Sequence, residues 1–453
     1  MAVGQLTDCL GTGGCYPRRM LSAFRFTPAR LLIGLLLLLV GTVALHAATG
    51  SFDPVAETNK YIASLPAEAQ SKSDAYFEGG YWLPLWNLVV SFILMFVLFR
   101  TGVLTHLRDL AERITRFRFV QGLIFIVLYT LVMWVVDLPW DYYEGFVREH
   151  QYGLSNLSVG GWLGERATAL LPGLLLGAPL GAILYLGIRR FPQRWWVVAG
   201  VVTPFFMTFM MVIAPVFISP LFNKYTPLTD AKVRDPILSM ARANGVPVDN
   251  VYQFDASKQS KRVSANVSGA LHTIRVSLND NLLNRCTPQQ VQAVMGHELG
   301  HYVLNHVYKL TIYFSLVVII GFAFVHWLFG LLHRKFASGW GVRGIDDYAG
   351  LPLFGFCFGV FMLLATPATK SIVRTTESEA DIFGLNAARQ PDGFAQTALM
   401  LSEYRKISPG PWEEIIFVDH PSGRTRIMMA MQWKAEHVAE LPTATHAPAP
   451  AGK

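Results

Sequence analysis

The chain has 453 residues, of which 52% are hydrophobic and only 15% charged, with 30 Phe, 16 Tyr and 11 Trp. Soluble domains carry about 25% charged residues, so this composition excludes an ordinary soluble protein and belongs to a polytopic membrane protein. The net charge of +7 comes from short loops beside apolar spans. No basic run interleaved with aromatics marks a nucleic-acid surface, and the lipid bilayer is the expected partner of these residues.

Residues 1–30, with the Gly-rich LGTGGCYPRRM, read as an N-terminal extension. Seven segments follow that are long and apolar enough to cross a bilayer, which takes about 20 helical residues. They lie near 31–48, 82–100, 119–138, 167–188, 195–219, 311–332 and 350–369. The first follows Arg25 and Arg30 as a signal peptide would. Leu45 and His46 stand where cleavage wants small residues, so it is read as a retained span. Spans one to five therefore occupy 31–219, and spans six and seven 311–369.

Two polar regions, 220–310 and 370–441, are the extramembrane parts, and a low-complexity tail, 442–453, closes the chain. In the first region VYQFDA and SGALHTIRVSLN alternate and carry β-branched residues, which predicts strands. A helix follows, with Thr287 as N-cap, Pro288 at the first helical position and Gln290 completing a capping box. It runs through QVQAVMGHELGHYVLNH, 290–306. Residues 370–388 read as another helix. Cys9, Cys15, Cys286 and Cys357 fit no zinc ribbon, CxxC pair or disulfide framework.

The helix at 290–306 carries the chemistry. Residues four apart share a helix face. His297 and His301 can thus aim two imidazoles at one ion, with Glu298 beside it. Zinc takes such nitrogens, a catalytic zinc keeps a position open for water, and a neighbouring glutamate can take that water's proton. This is the H-E-x-x-H logic of a metalloprotease. Leu304 and Val307 stand where metzincins need Gly and His, which excludes that class. His306, on a continuous helix, would lie about 180° around and about two and a half turns from His297. The third ligand is then expected from another helix. RTTESEADIFG offers Glu377, Glu379 and Asp381; Glu377 and Asp381 share a face and Glu379 points elsewhere. One carboxylate could bind zinc while the other accepts a hydrogen bond from a ligand imidazole.

From about residue 80 to 430 the chain resembles the type I CAAX prenyl endopeptidase family, integral-membrane zinc metalloproteases, and their bacterial homologues. GHELGHYVLNH is similar to the family's zinc helix, and FISPLFNKYTPL (217–228) to the signature after its fifth span. DASKQSKRVSANVSG (255–269) resembles its edge strand, RTTESEADIFG its third-ligand helix, and HPSGRTRI (420–427) its C-terminal motif. The resemblance implies that His297, His301 and Glu377 hold one Zn(2+) per chain, with Glu298 as general base and Asp381 behind the ligands. It implies that Asn266 holds substrate backbone and that His420 steadies the oxyanion. Arg426, from the same motif as His420, is counted as substrate-binding and as able to pair with a nearby acid. The implied fold is mainly α: seven membrane helices enclosing a chamber, with a small α+β zincin-like domain. The implied substrates are hydrophobic peptides cut near the C-terminus, lipid-modified CAAX-type peptides among them. The eukaryotic family's first extramembrane loop and retention signals are missing, which suggests a bacterial protein of the inner membrane.

Loops 100–118, 189–194 and 333–343 are rich in Arg and Lys, and the positive-inside rule puts all three in the cytoplasm. Both zinc-bearing regions then face the periplasm, although the eukaryotic family places its site on the cytosolic side. Two rival readings are a general quality-control protease and a transporter or scaffold with structural zinc. The second predicts a closed four-ligand site, for which no Cys or fourth His is suitably spaced.

Overall fold

The structure, a computed structural model, describes residues 52–269 and 274–437. The expected N-terminal extension, the span at 31–48 and the tail from 442 lie outside them. Among the described residues six helices are long and apolar enough to cross a membrane. They are α1 (Ala67–Arg100), α2 (Arg118–Val136), α3 (Val159–Arg190), α4 (Trp195–Phe222), α7 (His306–Trp340) and α8 (Leu351–Ala388). Each contains one of the six remaining expected spans. Large apolar side chains stand on their outer faces, such as Val201, Phe205 and Phe217 on α4, an arrangement that only a bilayer makes favourable. Proline removes a backbone donor, and two prolines coincide with single π turns: Gly173–Gly177 directly after Pro172 in α3, and Ala214–Ile218 around Pro215 in α4.

The arginine-bearing loops meet at one end of this bundle. Arg108 reaches Asp347 at 2.7 Å and the Gly341 carbonyl at 2.9 Å. Arg343 pairs with Glu112 at 2.7 Å, and the Tyr348 hydroxyl donates to the Arg118 carbonyl. Leu104, Phe125, Tyr185, Trp195 and Tyr348 form the apolar core there. From this end α8 runs without a break for 38 residues. The span at 350–369 and the helix at 370–388, read separately from sequence, are one helix, because no Gly or Pro interrupts the chain between Pro367 and Gly384. The membrane helix itself therefore carries Glu377, roughly 40 Å from the arginine end at 1.5 Å per residue.

At the other end lies a four-stranded sheet in the order β1-β2-β4-β3: β1 (Tyr225–Pro227), β2 (Val251–Phe254), β3 (Ala265–Ser268) and β4 (Arg275–Asn279). β2 and β4 are parallel, the other pairs antiparallel. SGALHTIRVSLN, read from sequence as one strand, belongs to two. β3 ends at Ser268, Gly269 takes a φ of +95° that suits glycine, and β4 begins at Arg275. Helix α5 (Ala231–Ala243) and helix α6 (Pro288–Val303) pack on the sheet. α6 starts with the expected capping box: Thr287 accepts from Gln290 N, and the Gln290 side chain accepts from Thr287 N at 2.7 Å. Its apolar positions Val291, Met295 and Leu299, four apart, join Val251, Val276 and Leu278 in the core. Helices α9 (Pro391–Leu401), α10 (Pro411–Phe417) and α11 (Gly423–Glu436) close the far side.

Candidate active site

With one face of α6 spent on the sheet, a second face meets α8. Gly296 and Gly300 of α6 lie against Ala380 and Gly384 of α8 so closely that a Cβ on Gly384 would stand 2.7 Å from His297 N. Small residues four apart on both helices let the backbones touch. The imidazoles of His297 and His301 can then reach the carboxylates that share the 377–381–384 face of α8.

His297 Nε2 lies 3.1 Å from His301 Nε2 and 3.2 Å from Glu377 Oε2, and His301 Nε2 is 3.5 Å from Glu377 Oε1. Four ligands about 2.0–2.2 Å from a tetrahedral zinc stand roughly 3.3–3.6 Å apart, within about 0.2 Å of this spacing. Glu377 Oε2 is buried and accepts no hydrogen bond, although imidazole nitrogens of His297 and His420 stand at 3.2 and 3.3 Å. Lone pairs crowded together in this way fit a cation. His297, His301 and Glu377 also form the one group of three among the described residues whose ligand atoms all lie within 4.8 Å of one another. The donor set therefore fits zinc.

The outer nitrogens settle the tautomers. His297 Nδ1 faces Asp381 Oδ1 at 2.7 Å, so it carries the proton and Nε2 is left with its lone pair. Asp381 is fully buried and also accepts from Arg426 Nε at 2.9 Å and Nη2 at 2.5 Å. The Arg426 guanidinium is thus committed to Asp381 rather than open to a peptide, although it borders the cavity. Burial pulls the His297 imidazolium down, but Asp381 and Glu377 outweigh it and push its pKa up to about 9.

Behind His301 the structure differs from the continuous helix assumed for His306. α6 stops at Val303, Asn305 adopts φ +57°, and His306 opens α7. His306 thereby returns to within 2.9 Å of His301 Nδ1 and 2.9 Å of Glu379 Oε2. Glu379, which points away from the metal group as expected, holds His306 and Lys309. His301 is propped through His306 much as His297 is propped by Asp381. Asn at a helix C-terminus is a known stop signal, so Asn305 is a sequence feature from which this break could have been read.

A cavity of about 230 Å³ opens beside the group, bordered by Glu298, His297, His420 and Arg426 and, on the sheet side, by Val263, Ser264 and Ala265. Enclosure raises the Glu298 carboxyl above its ordinary value, against the pull of His297 and His301. His420 Nδ1 faces Asp419 at 2.7 Å. Enclosure holds His420 below the usual imidazole value, with nearby Arg405 adding to that effect and Asp419 opposing it. Arg374 of α8 fixes the loop that carries His420 by donating to the Glu414 and Val418 carbonyls, at 2.5 and 2.6 Å. β3 is one of the two edge strands of the sheet, β1 being the other, and Asn266 pairs there with Ser277; the strand's contribution to the cavity wall is Ala265, one residue before it. Arg405 and Asp419 escaped sequence reasoning because neither has a periodic signal or lies within a quoted motif; Arg374 opens the RTTESEADIFG segment, but its hold on the loop before His420 is a contact that no spacing encodes.

Sequence profiles of two families match. "CAAX prenyl protease N-terminal, five membrane helices" covers residues 56–224, and "Peptidase family M48" covers 227–434. The chain belongs to the CAAX prenyl endopeptidase family, peptidase family M48. Among its relatives, the uncharacterized metalloprotease YhfN of Bacillus subtilis is 29% identical over 343 residues, 75% of this chain and 80% of that one. CAAX prenyl protease 1 of Saccharomyces cerevisiae is 34% identical over 221 residues, 48% of this chain and about half (47%) of the yeast protein. The crystal structure of S. mikatae Ste24p has the same fold, with a TM-score of 0.68 at 23% identity, over 81% of this chain and 90% of that one. This M48 peptidase is accordingly a multi-pass membrane metalloendopeptidase. M48 peptidases are in general zinc-dependent, and the His-His-Glu group described above is the candidate site.

Proposed function

We propose that the chain binds one zinc ion through His297, His301 and Glu377 and hydrolyses peptide bonds near the C-terminus of hydrophobic substrates. The observation that carries this reading is the ligand spacing of 3.1–3.5 Å around an unpartnered carboxylate oxygen. When bound, zinc supplies the Lewis acidity that makes water a nucleophile near neutral pH. Glu298 takes the water's proton and hands it to the leaving nitrogen. Asp381 and His306 keep the ligand imidazoles in the tautomer that offers Nε2 and Nε2 to the ion. Asp419 holds His420 Nδ1–H, so His420 presents a donor at Nε2 only as the imidazolium, a form that enclosure disfavours in the free protein and that the charge of an oxyanion would favour. The substrate lies extended along β3, with Asn266 holding its backbone, a use of a marginal strand that peptide-binding domains share.

Purified protein is expected to contain one zinc per chain and to cleave a hydrophobic peptide. Chelator should abolish that cleavage and added zinc restore it. Cleavage by metal-free protein would end the reading. Matched farnesylated and plain peptides decide the substrate class: a marked preference for the lipidated form assigns CAAX-type substrates, and equal rates assign general membrane quality control.

The convergence of three arginine-bearing loops at one end of the bundle, far along α8 from Glu377, supports a cytoplasmic arginine end and a periplasmic site in a bacterial inner membrane. A phosphatase that folds only in an oxidising compartment, fused after residue 453, should be active, and a cytoplasmic fluorescent reporter there dark. The opposite pattern would put the site in the cytoplasm.

A further inference from the structure

A second cavity, of about 400 Å³, adjoins the first, and Tyr404 and Arg405 border both. It lies between the membrane-entry part of α1 and the far end of the last span, since Tyr81 and Pro84 border it on one side and Thr366 and Lys370 on the other. Aromatic rings of Tyr76, Tyr81 and Phe417 line it, which suits apolar side chains. Its charge is unbalanced: Arg148, Arg262, Lys370 and Arg405 face it against a single acid, Asp419.

The pairings isolate one of these cations. Arg262 is held by Glu149 at 2.9 Å and Lys370 by Asp419 at 2.8 Å, and Arg148 lies near Glu149 and over the Tyr76 ring. Arg405 has no carboxylate within ion-pair distance among the described residues. Its Nη1 is buried with no hydrogen-bond partner, and its Nη2 has only His420 Nε2, at 3.5 Å. An enclosed guanidinium without an anion is costly to keep. Enclosure pulls its pKa down, as that cost requires. A peptidase has an obvious source for the missing anion in its substrate.

The sheet supplies the register. Ala265 of β3 borders the metal-side cavity, and Arg262, three residues earlier, borders the second. Three residues of chain span at most about 10 Å. A peptide extended along β3 therefore passes from one cavity to the other within about three residues of the bond to be cut. The second cavity is lined for apolar side chains and has one unpaired cation, so it fits a hydrophobic segment that ends there rather than one that continues.

We propose that this second cavity is the subsite for the last residues of the substrate, with Arg405 as the receptor for the C-terminal carboxylate. The assignment rests on the peptidase reading above and makes Arg405 a specificity-determining residue, distinct from the groups that perform hydrolysis.

The test compares one hydrophobic peptide, ending three residues after the cleaved bond, as free acid and as C-terminal amide. The wild type should favour the acid by roughly ten- to hundredfold, mainly through KM, as expected for a charge-assisted hydrogen bond. Arg405→Gln should lose that preference by raising KM for the acid and not for the amide, any change in kcat through the neighbouring His420 falling equally on both peptides, and Arg405→Lys should restore part of the preference. Equal rises in KM for acid and amide, a preference that survives Arg405→Gln, or an amidated peptide with an internal Glu that binds as well as the acid would each overturn the proposal. Calorimetric binding of the tripeptide acid and amide to zinc-loaded Glu298→Gln protein reads the same subsite without turnover. Discrimination there with no cleavage by wild type would sink the peptidase reading and leave the subsite standing.

Discussion

Glu298→Gln is expected to lower kcat by about 10²–10⁴-fold, the range for losing a positioned general base, while the protein keeps its zinc and its KM. Glu298 follows His297 by one residue on α6, so it projects into the cavity beside the His297–His301–Glu377 group without joining it. Glutamine fills the same space and cannot take a proton. The comparison is His420→Ala, which should cost about 10²–10³-fold through loss of an oxyanion donor and leave metal content untouched. Single-turnover cleavage and metal analysis on the same preparations check both. Cleavage by Glu298→Gln at the wild-type rate would remove Glu298 from the chemistry, and loss of zinc from that variant would make it a ligand instead.

The residues of this site were readable from sequence to the extent that their relations are local. The four-residue spacing of His297 and His301 declares a shared face, and Thr287-Pro288-x-Gln290 declares where that helix begins. Glu377 against Asp381 could not be decided by spacing, since both lie on one face of α8; only the resemblance to known sequences separated them. What spacing could not supply was contact between distant segments. Arg426 meets Asp381 across 45 residues and Arg374 holds the carbonyls of Glu414 and Val418, and no period encodes either. The glycines tell a subtler story. Gly296 and Gly300 on α6 form a small-x-x-x-small pattern of the kind that brings membrane helices together, matched by Ala380 and Gly384 on α8. That signal marks the crossing that builds the site, and it was masked by the more conspicuous histidine that follows each glycine. The continuity of α8 was hidden in another way. Hydropathy falls near 370 where the helix leaves the bilayer, and a change of solvent looks in sequence like a change of element.

Asp381→Ala is expected to damage folding and metal binding by separate routes. Asp381 is fully buried and is, among the described residues, the one acid bonded to the Arg426 guanidinium, which is itself buried. Removing one member of a buried ion pair leaves the other charge uncompensated and costs about 3–5 kcal/mol. Replacing both with apolar side chains, Asp381→Leu with Arg426→Leu, should recover most of that stability. Metal affinity should not recover, because nothing then fixes the His297 tautomer; loss of such a support typically costs about 10–100-fold in affinity. Proton competition dictates the pH of the measurement. In the metal-free protein Asp381 and Glu377 hold the His297 pKa up at about 9 against the effect of burial, so below that pH zinc must displace a proton, and wild-type affinity climbs as pH rises toward 9. Without Asp381 that proton is held less tightly and the climb is shallower, which conceals part of the loss at neutral pH. At about pH 9 and above the competition is gone from both proteins, and the full 10–100-fold deficit should appear in chelator-competition titrations. Equal affinities there would mean that Asp381 serves only to neutralise Arg426, and that the ligand geometry stands without it.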